Sequence, residues 1–161
     1  MDNLWAPWRM TYILEEEKPN QCIFCAAADG QGLDGLVLGV GESCLVMMNK
    51  FPYNNGHLLV APLKHVSDLG SLDGREMGAL LSTVEFSIQA LKKVMNPDGF
   101  NVGLNLGLVA GAGIEDHLHF HIVPRWNGDT NFMTVLGEVR VIPEHIRATH
   151  QKLKPHFQDL A

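Results

Sequence analysis

The segment His117-Leu118-His119-Phe120-His121 alternates imidazoles with apolar side chains, and Ile122-Val123 continues the run. A β-strand sends residues i, i+2 and i+4 to one face, with roughly 6 to 7 Å between successive positions. The segment therefore predicts a strand over 117–123 that buries Leu118, Phe120 and Ile122 and lines its other face with three histidines. With eight histidines among 161 residues, simple template counting gives such a triplet by chance roughly 0.02 times per chain. A chain carrying it must build a sheet with core on one face and chemistry on the other.

The rest of the chain supplies the partners for that strand. Short apolar runs at 36–40 and 44–49 read as strands joined by a turn at Gly41-Glu42-Ser43. A Pro/Asn/Gly loop over 52–56 leads into a third strand at 57–62. Asp73, with Glu76 three residues on, forms a capping box for the longest helix. Met77, Leu80, Leu81, Val84, Ile88, Leu91 and Met95 make one apolar stripe along it, and Asn96-Pro97-Asp98-Gly99 ends it. Residues 101–107 alternate again, with Val102, Leu104 and Leu106 on the apolar side. Pro143 introduces a last helix over 144–154, with Ile142, Ile146, Leu153 and Phe157 inward. Strands neighbouring in sequence around one long helix predict an α+β fold with a mostly antiparallel sheet, one long central helix and a C-terminal helix. One domain is expected over 1–161: an N-terminal arm at 1–35, a core at 36–142, and a C-terminal helix and tail at 143–161. In the arm, Trp5, Trp8 and Tyr12 read as anchors onto the core or a partner subunit, and the acidic run Glu15-Glu16-Glu17 as a solvated surface.

Composition narrows the function classes. Apolar residues make up 46% of the chain and charged residues 19%, which suits a globular core rather than disorder. Twelve basic against 18 acidic residues give a net charge of −6, which disfavours nucleic acid or an anionic membrane as partner. No long apolar run predicts a membrane span, and no export signal is seen at the start, so the cytoplasm is expected. The three cysteines, Cys22, Cys25 and Cys44, are therefore not read as a disulfide framework. Cys44 falls within a predicted strand and reads as a small buried hydrophobe. The Cys22-x-x-Cys25 pair alone fits metal ligands, a redox pair or two buried thiols. His145, His150 and His156 are expected at the surface.

Two chemistries can use three histidines on one face. They can hold zinc with an open position for water. Alternatively, one neutral imidazole can be a nucleophile whose neighbours fix its tautomer. The preceding Gly107-Leu108-Val109-Ala110-Gly111-Ala112-Gly113 favours the second, because a glycine-rich loop lets backbone N–H groups gather round an anion. Asn105, on the polar face of the neighbouring strand, has an amide suited to a phosphoryl oxygen.

His117-Leu118-His119-Phe120-His121-Ile122-Val123-Pro124-Arg125 resembles the signature of the histidine-triad (HIT) superfamily of nucleotide hydrolases and transferases. Further segments carry the resemblance from about Leu4 to Arg147. They are Leu4 to Met10 (LWAPWRM), Asn49 to His57 (NKFPYNNGH), Gly99 to Asn105 (GFNVGLN) and Pro124 to Phe132 (PRWNGDTNF). Together they are most similar to the small bacterial diadenosine tetraphosphate phosphorylases, or ATP adenylyltransferases. Larger phosphorylases and galactose-1-phosphate uridylyltransferases carry Gln where this chain has His121. Many hydrolase-type members carry Gln and Ser or Thr where this chain has Ala112 and Gly113, in a loop that here is one residue longer.

The resemblance implies that His119 attacks the α-phosphorus of diadenosine tetraphosphate and expels ATP. Orthophosphate would resolve the AMP–His119 adduct to ADP, and water would resolve it to AMP. His121, Asn105 and the backbone of Gly111, Ala112 and Gly113 would stabilise charge on the phosphoryl oxygens, with His117 completing the triad. Asn49 would lie near the ribose and His57 beside the triad, while Lys50 and Arg125 would be phosphate donors. The same resemblance implies a structural zinc held by Cys22, Cys25, His65 and His117, no organic cofactor, and a homodimer. The rival expectations are a hydrolase of dinucleoside polyphosphates or nucleotide phosphoramidates, a nucleotide-binding regulator without turnover, and a scaffold whose triad itself holds the metal.

Overall fold

A computed structural model describes residues 21–31, 35–129 and 142–160. Trp5, Trp8, Tyr12, the acidic run at 15–17 and the motif residues Asn131 and Phe132 lie outside the described residues. Five antiparallel strands form one sheet: β1 (Val37–Val40), β2 (Cys44–Met48), β3 (Leu58–Pro62), β4 (Gly99–Leu104) and β5 (Phe120–Arg125). Their order across the sheet is β1-β2-β3-β5-β4, so the histidine-bearing strand is internal and β4 is an edge.

Strands β2 and β3 are buried at every position, which period-two geometry explains only if both faces of the sheet are covered. One face carries Cys44, Val46, Met48, Leu58, Val60 and Ile122 into the main core. The opposite face carries Leu45, Met47, Leu59 and Ala61 into a second, smaller cluster.

The long helix α2 (Gly74–Met95) covers the first face. Its capping box is complete: Asp73 accepts from the N–H groups of Arg75 and Glu76 at 2.7 and 2.8 Å, and Glu76 accepts from the Asp73 N–H at 2.8 Å. Asn96 ends it in the left-handed region at φ 46°. The inward line is Leu80, Thr83, Val84, Ser87, Ala90 and Leu91, so Leu81, expected inside, is 51% exposed. Thr83 and Ser87 take the inward positions because their hydroxyls donate to the carbonyls of Ala79 and Thr83 within the helix. Short side chains with no unmet hydrogen bond let the helix lie close to the sheet.

Helix α3 (Ile146–Leu153) packs on the same side, burying Leu153 and, in the turn beyond, Phe157. Ile142 and Ile146 are half-buried. His145 is its N-cap, accepting from the Arg147 N–H. His150, expected at the surface, is half-buried and donates to the Val37 carbonyl at 3.0 Å; His156 is also half-buried. The short helix α1 (Ile23–Ala28) covers the second face through Phe24 and Ala27. Cys44 is buried as a small hydrophobe in β2.

Two strands are shifted from the sequence expectation. The strand at 101–107 starts earlier and ends at Leu104, and Val102 and Leu106 are exposed because β4 is the edge of the sheet. The histidine strand begins at Phe120, paired with Val60, rather than at His117. Before it, the Leu118 N–H bonds to the Val66 carbonyl, and the Pro62 carbonyl accepts from the His117 ring. Those two bonds replace the ladder and turn His117 aside. Among the described residues, no helix is long and apolar enough to cross a membrane.

Candidate active site

His121 lies opposite Leu59 in the β3–β5 ladder, so it shares the sheet face of Leu59 and Met47, away from α2. His57, immediately before β3, falls on that face by the same alternation. The result is a row of rings along one side of the sheet. Centroids of His119 and His121 are 4.9 Å apart, and those of His121 and His57 are 5.1 Å apart. Phe24 adjoins the other end, 4.9 Å from His119 and 5.0 Å from His117. Tyr53 closes the His57 end, 4.6 Å from its ring and stacked on His121 at 5.7 Å.

Hydrogen bonds assign a tautomer to each central ring. His119 Nδ1–H donates to the His117 carbonyl at 2.8 Å, which leaves the lone pair of the neutral ring on Nε2. His119 is 6% exposed, and burial lowers its pKa, partly opposed by that bond, so the ring is held neutral. His57 Nδ1 accepts from the Tyr53 N–H at 3.0 Å and lies 3.3 Å from Asn49 Nδ2. The His57 proton is therefore on Nε2, which donates to His121 Nδ1 at 2.9 Å. That in turn places the His121 proton on Nε2. Backbone and amide donors of one loop thus make His121 Nε2 a donor, while the His117 carbonyl leaves the lone pair of His119 on Nε2.

His117 belongs to a different cluster. Its Nδ1 lies 3.2 Å from Cys22 Sγ, 3.7 Å from Cys25 Sγ and 3.2 Å from His65 Nδ1, while Cys25 Sγ lies 3.3 Å from His65 Nδ1. All four ligand atoms fall within 4.8 Å of one another. Metal bonds of about 2.0–2.3 Å give a tetrahedron with edges of about 3.3–3.8 Å, so this donor set fits a closed Cys2His2 site. His117 Nε2 donates to the Pro62 carbonyl at 2.8 Å, a second bond that fixes the ring's orientation. Burial lowers the His117 pKa, and burial together with Cys22 raises the thiol pKa of Cys25, an effect a bound cation would reverse. Both His117 nitrogens are engaged away from the triad face, so the first triad histidine supports the second through its carbonyl rather than through its ring.

Other expected site residues fall less simply. Asn49 is next to His57, but its amide is used within the loop, with Oδ1 accepting from the Phe51 N–H. Lys50 is exposed, its Nζ 6.0 Å from the Phe51 ring centroid. Asn105 Nδ2 donates to the Gly111 carbonyl at 3.4 Å and so tethers the glycine-rich loop. In that loop the N–H groups of Gly111 and Ala112 bond to the carbonyls of Leu108 and Gly107, closing a 3-10 turn. The expected nest of three amides is thereby reduced, with Gly113 the member not consumed by that turn. Arg125, expected as a phosphate donor, instead gives its guanidinium to both oxygens of Asp129 and to Asn101 Oδ1, at 2.7 to 2.9 Å. It braces the corner after β5, where Asp129 also accepts from Asn54 and the Trp126 N–H. Phe24 and Tyr53 border the site without having been singled out, because an apolar ring in a Cys-x-x-Cys segment or a Pro/Asn/Gly loop carries no catalytic pattern.

A family profile described as HIT domain matches residues 32–128. The AP-4-A phosphorylase of Mycobacterium tuberculosis (strain ATCC 25618 / H37Rv) is 40% identical over 161 residues, covering 95% of this chain and 83% of the relative. The adenylylsulfatase HINT3 of Arabidopsis thaliana is 33% identical over 110 residues, covering 68% of this chain and 55% of the relative. Among solved structures, a Zn-bound histidine triad family protein from Mycobacterium smegmatis aligns with a TM-score of 0.69 at 26% identity, covering 84% of this chain and 92% of that one. Sheet order, the row of imidazoles and these matches lead to one assignment: the chain belongs to the HIT domain family.

Proposed function

We propose that this protein is a nucleotidyltransferase that cleaves diadenosine tetraphosphate with orthophosphate, giving ATP and ADP. The carrying observation is the buried, neutral His119, whose Nδ1–H is tied to the His117 carbonyl and whose Nε2 keeps its lone pair. In this reading Nε2 forms a bond to the α-phosphorus as the bond from that phosphorus to the bridging oxygen of the leaving ATP breaks. Orthophosphate then attacks the AMP–His119 adduct, yielding ADP and restoring the imidazole. The His121 Nε2–H donates to a phosphoryl oxygen as charge builds on it. Asn49, Lys50, Asn105 and the 111–113 loop border the nucleotide, and Arg125 acts only by bracing the loop through Asp129. The M. tuberculosis relative's name supports phosphorolysis.

Zinc is the proposed occupant of the Cys22, Cys25, His65 and His117 set, where it would supply a structural cross-link. The exposed Val102, Leu106, Leu108 and Val109 beside the edge strand β4 support a homodimer. A cytoplasmic setting goes with this reading, because the two thiols proposed to hold zinc must stay reduced.

Product analysis with diadenosine tetraphosphate, with and without orthophosphate, tests the reaction. ADP plus ATP formed only with phosphate is the expected result. AMP plus ATP regardless of phosphate would instead make the protein a hydrolase, and binding without turnover would make it a nucleotide-binding regulator. His119→Ala is expected to lower kcat by at least about 10³-fold, and an active variant would sink the mechanism.

A further inference from the structure

We propose that Phe24 is a positioning residue for the nucleophile, tying the Cys22/Cys25 corner to the imidazole of His119. The proposal rests on the reading of His119 as the nucleophile. Phe24 stands between the two cysteines and is fully buried. Its ring touches the rings of both His117, one of the candidate metal ligands, and His119. No other residue of the corner reaches the nucleophile with its side chain among the described contacts.

His119 needs such a neighbour. Its Nδ1–H bond to the His117 carbonyl holds one edge of the ring, but one bond leaves the shallow second torsion of a histidine side chain free to swing. His121 lies 4.9 Å away on one side and Phe24 4.9 Å away on another. Between them the ring has a defined plane, and Nε2 a defined direction. An apolar neighbour also suits the task, because it competes for no lone pair.

What holds Phe24 is itself informative. Helix α1 has six residues and no side-chain N-cap, and a helix of that length is not stable by itself. It is held by Phe24 and Ala27 packing on Leu45, Met47, Leu59 and Ala61, and by Cys22 and Cys25 reaching His65 and His117. Ligation of those thiols would therefore fix the segment that carries Phe24. The metal corner would influence the nucleophile by two routes, the His117 carbonyl at the ring edge and the Phe24 ring at its side.

The experiment uses the full chain loaded with zinc. Phe24→Leu keeps an apolar side chain of similar reach but removes the flat ring, and Phe24→Ala removes the contact. Zinc content is measured first and is expected to match the wild type in Phe24→Leu. Steady-state kinetics with diadenosine tetraphosphate and orthophosphate should then show kcat lowered about 10-fold in Phe24→Leu and about 10²-fold in Phe24→Ala, with KM changed less than about twofold. Imidazole 1H–15N spectra should show a single Nδ1–H tautomer for His119 in the wild type and averaged signals in both variants.

Unchanged kcat with zinc retained would overturn the proposal. So would a raised KM at constant kcat, which would make Phe24 a substrate contact. If the variants lose zinc, the wild type decides: zinc added back to the stripped chain must sharpen the His119 signals, and unchanged signals overturn the proposal. If the wild type turns over no diadenosine tetraphosphate, the functional reading fails separately, and the spectra still decide the positioning claim.

Discussion

A neutral imidazole has one donor and one acceptor, and what lies behind each ring decides which nitrogen faces the substrate. Behind His121 stands His57, fully buried, with its own proton position imposed by Tyr53 and Asn49. Replacing His57 removes the donor that keeps the His121 proton on Nε2. His57→Ala is therefore expected to lower kcat about 10²-fold while leaving KM nearly unchanged, as measured by steady-state kinetics on a variant whose circular dichroism matches the wild type. A rise in KM alone would count against this role. At this scale the alternation at 117–121 made His119 and His121 readable, because a strand repeats every two residues. The division of labour at His117 was only half readable: alternation placed it with the triad, whereas Cys22, Cys25, His65 and Pro62 draw its ring aside. Phe24 was not readable, since no periodicity links residue 24 to residue 119.

The elements are held at their ends by carboxylates. The N–H groups of Glu76 and then Arg75 lower the Asp73 pKa, and the Asp73 N–H and then Lys64 lower that of Glu76. Lys152, then Thr149, lower that of Glu144, where α3 is pinned to Asn55 of the loop before β3. Each group has a folded pKa below its unfolded one. Its stabilising contribution is thus present above the unfolded value and lost as pH falls through the folded value. Thermal midpoints are expected to be flat near neutrality and to fall as pH drops below about 4.5, and Glu144→Gln should flatten part of that acid limb. An unchanged limb in Glu144→Gln would remove Glu144 from this account. The capping box of α2 was fully legible because its signal is local, Asp73 and Glu76 three apart. The inward face of α2 was misread at Leu81, since hydrophobicity cannot reveal that Thr83 and Ser87 satisfy their hydroxyls within the helix. The partners of Arg125 were not legible for a related reason: Asp129 and Asn101 are brought to it only by the corner after β5.

For the molecule as a whole, sheet class and the two longer helices were legible, but the short helix α1 and the order of strands were not. Alternation marks a strand without saying which neighbour it takes, and Val102 and Leu106, read with Leu104 as one apolar side, are exposed at the edge of the sheet. Those exposed side chains motivate a whole-molecule prediction. Sedimentation velocity should find a dimer for the wild type and a monomer for Val102→Asp, with α-helix content unchanged; a wild-type monomer would reject this interface.

The internal position of β5 also affects when the protein can become active during synthesis. The ribosome makes β3 well before the strand that must lie beside it, and β4 emerges before it too, although β5 separates the two in the finished sheet. Until the segment at 120–125 leaves the exit tunnel, the nascent chain carries an open, wholly apolar strand edge, the kind of surface that recruits chaperones or pairs with another chain. Closing that edge and delivering the histidines are the same event. A half-made copy therefore has no assembled row of imidazoles, and the step that ends its exposure to misassembly also completes the site.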